Sequence, residues 1–231
     1  MRFGRILCLV IAVVVASSGV AQATSLQALL SGGTLSAGDK TFGDFAFSCG
    51  AGDCAGQGIV PSAIDVTATF DAATSTAFLT FSGNMISTST SVVDFLLRYT
   101  VTASAGLITS IDQSFQPSAG GNGGNIIIAE DVRAGSFAGN ILALSSVSLV
   151  AGVGDFQDPP GEVLQGDQLV LSTGQTKAWV TKDINLRANA GGAAGTSVLI
   201  QSFHQTVPEP TSLLLLGSGL TGLAIWRRRS N

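Results

Sequence analysis

Ile64-Asp65-Val66-Thr67-Ala68-Thr69-Phe70-Asp71 decides the fold. The apolar residues Ile64, Val66, Ala68 and Phe70 alternate with Asp65, Thr67, Thr69 and Asp71, the period of two that turns one face of a strand to a core and the other to water. Ala72-Ala73-Thr74-Ser75 is a hairpin-sized connection to the next strand, Ala77-Phe78-Leu79-Thr80-Phe81. Val93, Phe95, Leu97, Tyr99 and Val101 mark a long third strand by the same period. Further strands are predicted at 42–48, 107–115, 125–133, 141–150, 168–172, 177–187 and 196–207. Turn signals separate them: Gly83-Asn84, Gly106, Gly120-Gly121-Asn122-Gly123-Gly124, Gly152-Val153-Gly154, Pro159-Pro160-Gly161, Gly174 and Gly191-Gly192. About ten strands without long amphipathic helices between them indicate an all-β sandwich, with a jelly roll as one topology. Residues 25–30 read as a single helical turn, and no fixed repeat supports a solenoid.

The two ends are addresses. Arg2 and Arg5 precede an apolar run from Ile6 to Val20, and Ala21-Gln22-Ala23 offers the small-x-small pattern that a signal peptidase accepts. A signal peptide is therefore predicted over 1–23, cut after Ala23. Cys8 lies at the start of the run, which excludes a lipoprotein cysteine. At the other end Val207-Pro208-Glu209-Pro210 precedes the apolar run Leu213 to Trp226 and then Arg227-Arg228-Arg229. Fourteen residues make a helix of roughly 21 Å against a hydrocarbon core of about 30 Å. Extended by Thr211 and Ser212, and with the arginines reaching the headgroups, 211–226 forms a short transmembrane helix in a thin membrane. Pro208 and Pro210 hold the preceding strip extended and accessible. Positive charge at both ends keeps the chain between them outside the inner membrane.

A polar extended motif, a short apolar helix and a terminal arginine cluster together resemble the PEP-CTERM sorting signal of Gram-negative bacteria, with Val207, Pro208, Glu209 and Pro210 as its core, 211–226 as its helix and 227–231 as its basic tail. The resemblance implies recognition by an exosortase, a membrane-embedded cysteine transpeptidase-like enzyme, after transient inner-membrane insertion. It also implies delivery to the cell surface or an exopolysaccharide matrix. The phrases Gly38-Asp39-Lys40-Thr41-Phe42-Gly43-Asp44-Phe45 and Gln201-Ser202-Phe203-His204-Gln205 look like those of secreted PEP-CTERM proteins, a looser likeness that carries no catalytic residue. On this reading the secreted β-domain is 24–206 and the sorting signal 207–231.

Within 24–210 six cations, Lys40, Arg98, Arg133, Lys177, Lys182 and Arg187, face all fifteen acidic residues, a net charge of minus nine. That argues against nucleic acid as a partner. The only cysteines left after export are Cys49 and Cys54, which close a short glycine-rich loop and are expected to form a disulfide in an oxidising compartment.

Catalytic chemistry is sparse. The single histidine, His204, sits in the last predicted strand and reads as a surface residue. Glu130 and Asp131 are adjacent in a strand, so they point to opposite faces and cannot flank one bond; a solvated edge or one half of a salt bridge is expected. Asp155, Asp158 and Glu162 offer hard oxygen ligands to calcium, but without the spacing of an EF-hand, and an ordinary polar turn is the preferred reading. No other cofactor is expected. Threonine pairs such as Thr100 and Thr102 could line one face of a sugar-binding sheet, with Trp179 and Tyr99 as the aromatic candidates for stacking. The leading expectation is a non-enzymatic structural or adhesive component of the envelope or biofilm that meets extracellular polysaccharide. A calcium-dependent or carbohydrate-binding module is the alternative, and a secreted carbohydrate-active enzyme comes third.

Overall fold

The structure, a computed structural model, describes residues 22–151, 163–164 and 166–206. Within them the strands are β1 (Gln22–Ser25), β2 (Leu35–Ala37), β3 (Lys40–Ala51), β4 (Ile64–Asp71), β5 (Thr76–Thr88), β6 (Val92–Ala103), β7 (Leu107–Gly121), β8 (Gly124–Arg133), β9 (Ile141–Ala151), β10 (Val163–Leu164), β11 (Gly166–Gln175), β12 (Lys177–Ala188) and β13 (Gly192–Thr206). One short helix, α1 (Leu26–Leu29), begins where the Ser25 hydroxyl accepts a hydrogen bond from the Ala28 amide.

All pairings are antiparallel, in two sheets of order β1-β4-β5-β13-β7-β11 and β10-β9-β8-β12-β6-β3-β2. The hairpins β2–β3, β4–β5 and β8–β9 each stay within one sheet, while β5 to β6, β6 to β7, β7 to β8, β11 to β12 and β12 to β13 cross between them. Each sheet therefore interleaves early and late strands, as jelly-roll winding does. The expected sandwich is what the chain forms, with three short strands, β1, β2 and β10, added to those read from the sequence. β1 spans the predicted cleavage point: Gln22 and Ala23 pair with Ala68 and Thr67, Thr24 and Ser25 with Val66 and Asp65.

The period of two places the core. Ile64, Val66 and Ala68 of β4 and Val93, Phe95, Leu97, Tyr99 and Val101 of β6 are all buried on inner faces. Gly83-Asn84 is not a turn but lies inside β5. Glycine stands there because a Cβ would meet the Ala63 carbonyl oxygen at 2.6 Å, where the 3-10 turn before β4 approaches. Gly174 likewise continues β11, and of the glycine run only Asn122 and Gly123 lie outside strands. Cys49 and Cys54 are disulfide-bonded, joining the end of β3 to the turn that follows.

The core is not wholly apolar. Lys182 of β12 lies opposite Glu130 of β8, which lies opposite Ser145 of β9, and all three point inward. Gln113 of β7 and Gln201 of β13, themselves paired, face them from the other sheet. Lys182 Nζ donates to Glu130 Oε2 at 2.5 Å and to Gln113 Oε1 at 2.8 Å, and Gln113 Nε2 donates to Ser145 Oγ at 2.6 Å. The Tyr99 hydroxyl donates to Gln201 Oε1. Glu130 is thus neither solvated nor on an edge; β8 is an interior strand and its carboxylate is one half of a buried ion pair. Burial pushes the Glu130 carboxyl up and the Lys182 ammonium down, each opposed by the charge of the other.

Removing one member leaves the other charge buried alone, so Lys182→Ala or Glu130→Ala is expected to be about 3–5 kcal/mol less stable than the double change Lys182→Met with Glu130→Leu, which leaves no charge behind. Chemical denaturation of the three variants checks this, and equal losses in singles and double would contradict it.

Candidate binding site

A cleft of about 340 Å³ opens beside α1, between Leu29 and Leu30 on one side and the outer face of the β3–β6–β12 surface on the other. Its polar wall is Thr34, Thr41, Asp44, Thr100, Thr102 and Lys177. Asp44 is placed there by a bulge: Gly43 pairs with Thr100 but Ala46 with Arg98, so β3 carries one extra residue. Asp44 takes a positive φ of 53°, which aspartate tolerates better than most side chains. Its Oδ2 accepts from the Thr100 hydroxyl at 2.9 Å and from Lys177 Nζ at 3.0 Å. The hydrogen bond from the Lys177 ammonium, and after it that from the Thr100 hydroxyl, holds the Asp44 carboxyl below its ordinary range. Lys177 and Asp44 are well exposed, 37% and 60%. An exposed pair of this kind contributes little to stability.

Lys177 also sits over the indole of Trp179, its nitrogen 5.1 Å from the ring centroid. Trp179 lies across from Thr100 on one side and Arg133 on the other, half-buried on the outer face. Further along this face the Arg98 guanidinium packs on the Phe137 ring at 5.8 Å, and Arg133 pairs with Asp131 at 2.6 Å. Of the two aromatics singled out for stacking, the structure leaves Trp179 at the surface and buries Tyr99 completely in the core. Thr100 and Thr102 both reach the cleft, as their two-residue spacing predicts. The same outer face carries Asp183 and Asp94. Burial, then the hydrogen bond and charge of Asp94, push the Asp183 carboxyl up to about 6.

On the outer face of the other sheet His204 Nε2 meets Asp112 Oδ2 at 2.8 Å, with Ser202 Oγ at 3.1 Å from the same nitrogen and Thr76 Oγ1 at 3.4 Å from Nδ1. Serine, histidine and aspartate are together, but not as a relay. A triad needs carboxylate and nucleophile on different ring nitrogens, whereas here both contact Nε2 and the Ser202 hydroxyl also reaches Asp112 at 3.2 Å. His204 is therefore the half-exposed strand residue that its position suggests, held by Asp112.

Among the described residues no group of three or more His, Cys, Asp or Glu side chains is placed to hold a metal ion. The calcium candidates Asp155, Asp158 and Glu162 lie outside the described residues, as do Ala21, the motif 207–210 and the basic residues Arg227, Arg228 and Arg229. Among the described residues no helix is long and apolar enough to cross a membrane; the segment read as a span, 211–226, lies beyond them.

Residues 206–229 match the PEP-CTERM protein-sorting motif, which indicates an exported protein sorted to the cell surface. No curated protein matches the chain. Among solved structures, TmCBM61 in complex with β-1,4-galactotriose is 13% identical at a TM-score of 0.33, over 71% of this chain and 89% of that one. The enzymatically active domain of bacteriophage CBA120 tailspike protein 4 is 15% identical at a TM-score of 0.30, over 68% of this chain and 19% of that one. The family 11 carbohydrate-binding module from Clostridium thermocellum is 10% identical at a TM-score of 0.19, over 74% and 89%. Likenesses this distant carry no argument about function.

Asp183 holds its proton more tightly folded than unfolded, so it adds stability that is complete below its ordinary value of 3.8 and lost as the pH rises through about 6. Asp94→Asn removes the neighbouring charge and is expected to lower the Asp183 midpoint, read by carboxyl NMR titration; an unmoved midpoint would assign the shift to burial alone.

Proposed function

We propose that this chain is a non-enzymatic protein of the Gram-negative cell surface or exopolysaccharide matrix, sorted by an exosortase after transient anchoring by its tail, and that its sandwich adheres to matrix polysaccharide. The sorting half of this reading rests on the motif at 206–229. Signal peptidase removes 1–23, the apolar run 211–226 holds the chain in the inner membrane with Arg227, Arg228 and Arg229 on the cytoplasmic side, and the exosortase acts at Val207-Pro208-Glu209-Pro210.

The adhesive half is supported by one observation, the convergence of Lys177, Asp44 and Thr100 in the wall of an open cleft, with the Trp179 indole beside that wall under the Lys177 ammonium. A pyranose ring has an apolar face and a rim of hydroxyls. An indole takes the first, while a fixed carboxylate accepts from the second and an ammonium donates to it. No carboxylate pair lies across this cleft, since Asp44 is the one acid in its wall. Retention without turnover is the activity this chemistry suits.

Intact mass of the native protein tests the sorting: a species beginning at Thr24 and ending near Pro210, lost when the host's exosortase is absent, is expected, and retention of Arg227 to Arg229 in the mature protein would overturn it. For adhesion, Trp179→Ala is expected to reduce retention on the host's own matrix polysaccharide at least tenfold with an unchanged thermal midpoint. Equal retention of variant and parent would remove the cleft from the account.

A further inference from the structure

The buried triplet Lys182, Glu130 and Gln113 has no part in sorting or adhesion, yet its chemistry is specific. One amine nitrogen lies 2.5 Å from a carboxylate oxygen of the strand beside it and 2.8 Å from the side-chain carbonyl oxygen of a glutamine on the facing sheet. All three side chains are sealed from solvent. The second oxygen of Glu130, Oε1, is buried with no hydrogen-bond partner. A charged pair left in this state carries a desolvation penalty that its mutual attraction offsets only in part.

We propose that Lys182 and Gln113 join in an intramolecular amide bond that ties the two sheets together, with Glu130 as the proton carrier. Glu130 takes one proton from the Lys182 ammonium. The neutral Nζ attacks Cδ of Gln113, the Nζ–Cδ bond forms and the Cδ–Nε2 bond breaks. A second proton leaves Nζ, the departing Nε2 gains one, and ammonia is released. Glu130 ends as a neutral carboxylic acid. Every hydrogen is accounted for and no oxidant, reductant or further reactant is needed.

Three features of the site favour this course. The dry surroundings disfavour both charges, in keeping with the directions in which burial moves the two groups. The leaving amide nitrogen of Gln113 is held by Ser145 Oγ at 2.6 Å, which fixes the plane of the carboxamide. The reaction also exchanges a buried ion pair for two neutral groups, removing the cost that the pair imposes. Lys40, with Asp39 and Gln205 each 2.5 Å away, repeats the composition at the rim, but Asp39 is 19% exposed and Gln205 half-buried, so that triplet lacks the dry enclosure.

Peptide mapping by mass spectrometry of the full chain, expressed with its export signal and digested under denaturing conditions, tests the proposal. The expected result is a branched peptide joining Lys182 to Gln113, lighter than its two linear parts by one ammonia and absent in Lys182→Met and in Glu130→Gln. Each variant is checked for folding by its circular dichroism and for an intact Cys49–Cys54 disulfide. The branched peptide decides, because cyclisation of an N-terminal glutamine or of Asn122-Gly123 also loses ammonia. Lys182 and Gln113 recovered in linear peptides would overturn the proposal. A link from Lys182 to Glu130, lighter by one water, would overturn it too by making the carboxyl the acceptor.

Discussion

An ammonium and a carboxylate can be sealed between two β-sheets only where partners from several strands meet at hydrogen-bonding distance, and that constraint selects the strand register. Apolar alternation alone fixes which face of a strand points inward. It does not distinguish a register from one shifted by two residues, because both keep Val180 and Ile184 on the core side of β12. Lys182 does distinguish them. A two-residue slip of β12 against β8 would set it opposite Ile128 or Val132 instead of Glu130 and carry it away from Gln113 on the facing sheet. Each wrong register then buries unpaired charge, which costs far more than one imperfect apolar contact. The polar stripe therefore excludes competing arrangements, whatever it contributes to net stability.

Tyr99 connects that stripe to the aromatic part of the core. Its ring lies 5.8 Å from Phe81, 5.9 Å from Phe45 and 6.4 Å from Phe203 by centroid, and Phe203 in turn meets Phe42 at 5.1 Å. Its hydroxyl reaches Gln201, whose amide nitrogen donates to the Asp112 carbonyl at 3.3 Å. An aromatic ring with one polar atom is suited to such a boundary, since its body packs in the apolar half while its tip completes the polar one. Burial, with the Glu130 carboxylate nearby, pushes the phenol well above its ordinary range, so it stays a donor.

Much of this was legible in the sequence because a period of two needs only local information. β4 falls where the alternation of 64–71 puts it, and the inward set of β6 is the one that the alternation names. Even the buried stripe left a trace. Lys182 interrupts Ala178, Val180, Ile184 and Leu186; Glu130 interrupts Ile126, Ile128 and Val132; Gln113 stands between Ile111 and Phe115, and Gln201 between Leu199 and Phe203. Four polar residues in the inward phase of four strands could have been read as partners, whereas treating Glu130 and Asp131 as an adjacent pair hid that phase. What could not be read was which strands face each other. Gln113 and Lys182 are 69 residues apart, and Asp44 and Lys177 are 133 apart. The short strands β1, β2 and β10 exist through their pairing with longer neighbours and carry almost no periodic signal of their own.

The cleft follows from the packing of the core. In β3, Lys40 and Phe42 point inward, and so does Phe45, three residues after Phe42 and out of phase with it. A regular strand cannot bury both rings. The extra residue of the bulge resolves the conflict by shifting phase between Gly43 and Ala46, which expels Asp44 outward into a positive-φ conformation. Thr100, across from Gly43, is then the nearest hydroxyl to the expelled carboxylate, and Lys177 at the start of β12 the nearest ammonium. Phe45 itself forms part of the cleft wall. The spacing of two phenylalanines thus determines where the acidic group of the binding surface stands, so inner packing and outer chemistry share one irregularity. A change that restored regular alternation in β3 would remove the cleft's carboxylate and, with the same step, turn Phe45 out of the core.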